Sequence, residues 1–365
     1  MSSELLFASA RPKTLEPKNS LGAKWLRLLD RLDLASTVAG KRTAIKMHLG
    51  GGVGFTTIHP FFARKLVEKV RAAGAAEVFV TDSPHAVREA VNRGYTAEVL
   101  GCPLLPVAGT TDRYAYTRKI KPPFRSLHEV HLGGEIVDAQ ALIDFSHVKG
   151  HGACGFGGAS KNLSMGCVTG QTRTALHALE GGLEWDPRKC TRCRTCVENC
   201  PNHAISFSDK GEFGVFYHDC KFCQHCILIC PELAISMAGG RFKDFQKGLA
   251  LATAKVLEGF EPGRTLFINM LLDITLFCDC WGMTTPQLVP NIGILAGRDI
   301  VAVEQATLDL IKTKDLIPGA LPDGWKMRAG KHLFEKVHRK DPYLLVADLE
   351  DLGCGHRTYK MTEVL

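Results

Sequence analysis

The chain has 365 residues, 45% of them hydrophobic and 23% charged, a composition that fits two or three folded units and excludes a disordered chain. Lysine and arginine number 45 against 38 acidic residues, a formal charge of +7, yet there is no long basic run and no zinc-finger or RNA-recognition signature, which speaks against a nucleic-acid partner. The 14 cysteines are too many for an ordinary enzyme and too dilute for a disulfide scaffold, so their spacing must decide their role.

Residues 1–12 have neither the basic start nor the apolar core of a secretory leader. Residues 43–49 alternate as a strand, 50–54 form a glycine-rich turn, and 60–73 show helical periodicity with Pro60 in the first turn. A strand at 78–81 completes a βαβ unit, and further units are expected at 86–94, 104–107 and 136–145, with a covering helix over 24–34. After a cysteine-rich segment the α/β pattern returns, with a helix at 242–257, a strand at 265–277 and an amphipathic helix at 300–312. The apolar stretch 266–283 is interrupted by Asp273 and Asp279, so it fails as a membrane span and reads as paired buried strands. The expected architecture is an α/β mixed-sheet domain with helices on both faces, built from residues 1–183 and 241–365, with residues 184–240 inserted. A cytoplasmic location is expected, where thiols stay reduced and clustered cysteines are metal ligands.

The insert is an internal repeat with a period of 30 residues. Cys190, Cys193, Cys196 and Cys200 sit in CTRCRTCVENCP, and Cys220, Cys223, Cys226 and Cys230 sit in CKFCQHCILICP. Both runs resemble the C-x2-C-x2-C-x3-C-P pattern of bacterial two-cluster ferredoxins, in which the fourth cysteine of each run serves the other cluster. The resemblance implies two [4Fe-4S] clusters, one on Cys190, Cys193, Cys196 and Cys230, the other on Cys220, Cys223, Cys226 and Cys200. Zinc sites with four cysteines pair two knuckles and do not show this tandem. With each oxidised cluster and its thiolates carrying about −2, the holoprotein charge falls to about +3.

Two further constellations flank the insert. Residues 144–166, DFSHVKGHGACGFGGASKNLSMG, place His147, Lys149, His151 and Lys161 among small residues that include Gly157 and Gly158, so the backbone can approach a ligand closely; the loop leading into Ser160 and Lys161 also has the composition of an anion cradle. Cys278 and Cys280, in FCDCW, would face the same way on an extended strand, able to chelate a soft metal or form a redox pair. His48 and His85 follow strands, where α/β proteins gather ligands. Gly50 to Gly54 lack the spacing of a nucleotide-binding loop. Cys102, Cys354, His177, His332 and His338 stand outside any constellation and read as structural or solvated.

These motifs, with PNIG at 290–293 and DIVAVEQA at 299–306, resemble a large prokaryotic family of ferredoxin-fused proteins known as domain of unknown function 362. The resemblance runs from Ala44 to Gly355 and implies fold and cofactors without a substrate; Asn291 departs from it where an aspartate is expected. A shorter resemblance is to lactate-racemase-like proteins with a nickel-pincer nucleotide, where a histidine precedes a glycine-glycine loop whose lysine tethers the cofactor. His151, Gly157, Gly158 and Lys161 have a similar arrangement.

The expected function is an anaerobic-type iron-sulfur oxidoreductase whose clusters relay electrons to or from a small-molecule substrate or an additional, unidentified metal or small-molecule cofactor in the α/β domain. His151, Lys161, Cys278 and Cys280 are the candidate catalytic residues, and Gly157, Gly158, Lys161 and His48 the candidate cofactor contacts. A redox partner protein is expected. The alternatives are a non-catalytic electron carrier, a metallocofactor maturation factor, or a nickel-pincer-like isomerase.

Overall fold

The computed structural model describes residues 2–216, 220, 223–237 and 242–365. An eight-stranded sheet organises the chain: β1 (Ser3–Ser9), β2 (Arg42–Met47), β3 (Glu77–Asp82), β4 (Leu104–Pro106), β5 (Ala141–His147), β6 (Thr265–Leu271), β7 (Gly293–Gly297) and β8 (Tyr359–Glu363). Their spatial order is β8-β1-β7-β6-β5-β2-β3-β4. All pairings from β4 to β6 are parallel, β7 is antiparallel to both neighbours, and β8 is parallel to β1. The sheet is therefore mixed, with β7 the single reversed strand.

Alternation along the strands feeds two cores. Ile45 and Met47, Ala141, Ile143 and Phe145, and Leu266, Ile268 and Met270 face one side, where they meet Trp25, Leu28 and Leu66 of the helices Leu21–Arg31 and Pro60–Ala72. Ala44, Leu142 and Phe267 face the other, against Leu249 and Val303 of the helices Phe242–Leu257 and Ile300–Leu310. Period-two burial on both faces is what a sheet covered on both sides requires. Trp25 stacks on Phe145 with centroids 5.7 Å apart.

Three expectations need correction. The strand expected over 265–277 stops at Leu271, because Asp273 adopts a left-handed φ of 47° and its backbone N–H is bound by the Asn291 side chain at 2.7 Å. Residues 266–283 are consequently not a pair of strands, and Asp279–Trp281 forms a 3-10 turn. The expected helix at 24–34 is two helices, Leu21–Arg31 and Leu34–Val38, separated by the Asp33 cap. A hairpin of Ala115–Phe124 and Leu127–Gly133, absent from the sequence reading, also lies between β4 and β5.

Leu183–Trp185 pairs antiparallel with Ile235–Met237, which brings the ends of the cysteine-rich segment together. The boundary expected at 240 and 241 lies outside the described residues. Within the segment the sequence repeat is also a structural repeat. Arg194 and Gln224 both have φ of 62° at the start of short helices, and His203 and Leu233 have φ of 51° and 54°. The Ala204 N–H donates to Cys200 Sγ at 3.2 Å, and the Ala234 N–H donates to Cys230 Sγ at 3.3 Å.

Candidate functional site

The chain runs outward from β2 to β3 and β4, then returns to β5 on the other side of β2. Such a reversal opens a crevice beyond the carboxyl ends of the two strands, the usual ligand position in an α/β sheet. A cavity of about 620 Å³ lies there, lined by Lys46 near the end of β2 and His48 just past it, and by His147 at the end of β5 with Lys149 and His151 beyond. Gly157, Gly158 and Lys161 close one side, Cys278, Cys280 and Trp281 another.

Lys161 lies on the helix Ala159–Gly166. Its ammonium is 3.4 Å from Cys278 Sγ and 3.3 Å from Cys280 Sγ. The three side chains that the sequence reading grouped are therefore brought together, although by a different local structure. Cys278 caps the 3-10 turn and is buried, while Cys280 lies within the turn and is exposed, both lining the cavity. The hydrogen bond between the two thiols and the nearby Lys161 charge outweigh burial and hold the Cys278 thiol well below its ordinary value. The same shared proton pushes the Cys280 thiol up.

His151 Nε2 is 3.8 Å from Cys280 Sγ. One ligand atom from each of His151, Cys278 and Cys280 can be chosen so that all lie within 4.8 Å of one another. Burial, then the neighbouring Lys161, drives the His151 pKa well down. A neutral imidazole beside two thiols is a donor set for a borderline-soft metal.

Asp279, between the two cysteines, points the other way. It pairs with Lys149, accepts from or shares a proton with His147 Nδ1 at 3.1 Å, and accepts from Thr56 Oγ1 at 3.2 Å. The glycine loop ends on a second buried carboxylate. Glu304 accepts from the Ala159 N–H at 2.5 Å and from Ser160 Oγ at 2.9 Å. This corrects the expected anion cradle, since the protein's own carboxylate already occupies the amino end of that helix. A Cβ at Gly158 would lie 2.5 Å from Glu304 Oε1, which accounts for glycine there. Asp279 entered the sequence reading only as an interruption of an apolar stretch and Glu304 only inside a family motif; isolated acids carry no spacing signal.

His48 Nδ1 is 3.0 Å from Asp82 Oδ2, while its buried Nε2 has no hydrogen-bond partner among the described residues. His85 and His177, the latter read as structural, both line the cavity. His177 Nδ1 lies 2.5 Å from Glu180 Oε1.

The eight repeat cysteines form two groups. Cys190, Cys193, Cys196 and Cys230 line one small cavity, and Cys200, Cys220, Cys223 and Cys226 line another. Cys223, with Pro201 and Asn202, also lines the large cavity. His225 packs edge-on against Phe277 and Trp281, each at 4.3 Å between centroids. The cysteine-rich segment is thus seated against the turn that carries Cys278 and Cys280.

A mixed α/β protein with a thiol-bearing cavity at its sheet switch point is the class that fold and site define. The chain belongs to the family described as domain of unknown function (DUF362), whose profile matches residues 43–309. A solved structure of the lactate racemase apoprotein from Thermoanaerobacterium thermosaccharolyticum is similar over 82% of this chain and 54% of its own, with 14% identity and a TM-score of 0.39. This chain therefore spans about half the length of that protein. No curated protein matches. Among the described residues no helix is long and apolar enough to cross a membrane.

Proposed function

We propose that the protein is an iron-sulfur oxidoreductase of the cytoplasm, in which a ferredoxin-like unit at residues 184–240, inserted between 1–183 and 241–365, exchanges electrons with a small molecule or second cofactor in the large cavity. The observation that carries this reading is the double position of Cys223, which borders both its own four-cysteine void and the cavity wall. A cluster on that void would have one thiolate ligand at the substrate space.

The donor chemistry fits two [4Fe-4S] groups. Each void collects four thiols, three from one run and the fourth from the other. Burial, then neighbouring cysteine charge, pushes Cys196 and Cys223 up to about 11 and Cys226 well up. Four thiolates can share such a space only around a group that brings positive charge, which iron does. N–H groups directed at Cys200 and Cys230 Sγ would help set the potential. When bound, the clusters supply one-electron transfer; Lys161 and His151 supply a cation and an imidazole for the ligand in the cavity. A partner protein would deliver or remove the electrons.

Anaerobic isolation tests the reading. About eight iron and eight sulfide per chain are expected, together with a retained small molecule or reducible substrate whose binding is lost in Lys161→Ala while iron stays. Full iron with identical behaviour of wild type and Lys161→Ala toward every ligand would leave a simple electron carrier. Stoichiometric zinc without sulfide in freshly isolated protein would end the iron-sulfur reading.

A further inference from the structure

We propose that His151, Cys278 and Cys280 form an open three-ligand site for one borderline-soft divalent metal ion, separate from the repeat cysteines. This deepens the cavity half of the proposed function and does not depend on the clusters.

Three observations converge. First, the imidazole nitrogen and two thiol sulfurs approach within 4.8 Å of one another, close enough for one ion to draw them to Zn–S and Zn–N lengths of about 2.3 and 2.0 Å by side-chain rotation. Second, the three come from rigid supports. His151 ends a short strand, Lys149–His151, with Nε2 3.8 Å from Cys280 Sγ; ligation through Nε2 would move the ring proton to Nδ1 and give up the bond that Nδ1 accepts from the Ala153 N–H at 3.2 Å. Asp279 anchors the turn between the cysteines from behind, through Lys149 and His147. Third, the Lys161 ammonium sits at 3.3 to 3.4 Å from both sulfurs and forms no ion pair with a carboxylate among the described residues. Two thiols beside an otherwise unpaired ammonium mark a place where negative sulfur charge is favoured.

The set is also incomplete in a particular direction. Structural zinc sites close with four protein ligands, whereas catalytic ones keep three and leave a position open. Here the fourth position faces the 620 Å³ cavity. The ion would bind with two thiolates, releasing their protons, and would displace the ammonium toward the cavity, where it would meet the negative end of a coordinating ligand. Two cysteines and one histidine favour zinc, ferrous iron or cobalt over magnesium or calcium.

Cobalt(II) is the probe. Protein carrying its full iron complement, isolated anaerobically with thiols reduced, should retain about one cobalt per chain after desalting and show tetrahedral d–d bands to the red of the cluster absorption. Cys278→Ser, Cys280→Ser and His151→Ala should each weaken retention at least tenfold, on the order of what outer-shell losses already cost. Cys354→Ser, away from the site, should not. Cys280 opens to the cavity, so its serine variant keeps the test valid if Cys278→Ser fails to fold. Unchanged cobalt retention in the Cys280→Ser and His151→Ala proteins would overturn the proposal, as would a stoichiometric Cys278–Cys280 disulfide in never-oxidised material. Iron and sulfide, counted in the same samples, report separately on the clusters: their absence from wild type would fail the electron-relay reading alone, and the cobalt site is then judged only by the difference between wild type and the Cys280→Ser and His151→Ala proteins, since empty repeat cysteines also take cobalt.

Discussion

Lys149 and Asp279 form an ion pair in which each side chain is only 1% exposed. Burial alone would raise the Asp279 carboxyl, but Lys149 and then His147 outweigh it and hold it well below its ordinary value. Removing one partner of a buried pair leaves an uncompensated charge, so Asp279→Asn should cost about 3–5 kcal/mol in chemical denaturation. The sign follows from the lowered pKa. This contribution is present above the unfolded carboxylate value of about 3.9 and is lost as pH falls through the folded value. Equal stability of wild type and variant at neutral pH would contradict the pairing.

Glu304 should behave in the opposite sense. Burial raises its pKa from 4.5 to about 7 against the hydrogen bonds from Ser160, Asn269 and Ala159. A raised folded pKa means that its favourable contribution is complete below 4.5 and is lost as pH rises to about 7, a span on the order of 3 kcal/mol. Glu304→Gln, compared with wild type by denaturation at pH 6 and pH 8, should gain relative stability at the higher pH. A difference that does not change with pH would refute an ionising Glu304.

Crossed ligation predicts an asymmetric response of the repeat. Cys200 lies with Cys220, Cys223 and Cys226, not with its own run. Cys200→Ala should damage that cluster and leave the other nearer to intact, and Cys230→Ala should do the reverse. Iron counting with paramagnetic resonance reads the result, and loss confined to the cluster of the same run would reject crossing. Because cluster binding and folding are coupled, the two variants are best compared by which cluster signal survives in soluble protein.

Gly152 holds the cysteine-rich segment close to the cavity. A Cβ there would meet the Cys223 carbonyl oxygen at 2.5 Å and the Trp281 ring at 2.9 Å. Gly152→Ala should therefore loosen that contact, raising amide exchange around Cys223 and Trp281 while iron content stays close to wild type. Unaltered exchange would mean that the contact is not tight.

Strands β2 to β6 and the helices at 60–72 and 242–257 were legible because apolar residues recur at periods of two and 3.6, a direct trace of burial, whereas β1, β7 and β8 went unread. The repeat cysteines were legible from spacing, and the same register reappears as matched backbone angles at Arg194 and Gln224. Cys278 and Cys280 were picked out on the premise of an extended strand, but Asp273 ends the strand first and a turn delivers both thiols. The partners that hold the site, Asp279 and Glu304, were not readable in themselves. Their effect depends on meeting Lys149 and Ala159 through tertiary contact, which no local pattern records.

The N-terminal strand β1 pairs with β7 and β8, whose residues begin at Gly293 and Tyr359. During synthesis it must wait without a sheet neighbour until most of the chain has left the ribosome. All eight repeat cysteines, Cys190 to Cys230, emerge well before that. Under the proposed iron-sulfur reading, cofactor loading can therefore begin on a nascent chain whose sheet is still open.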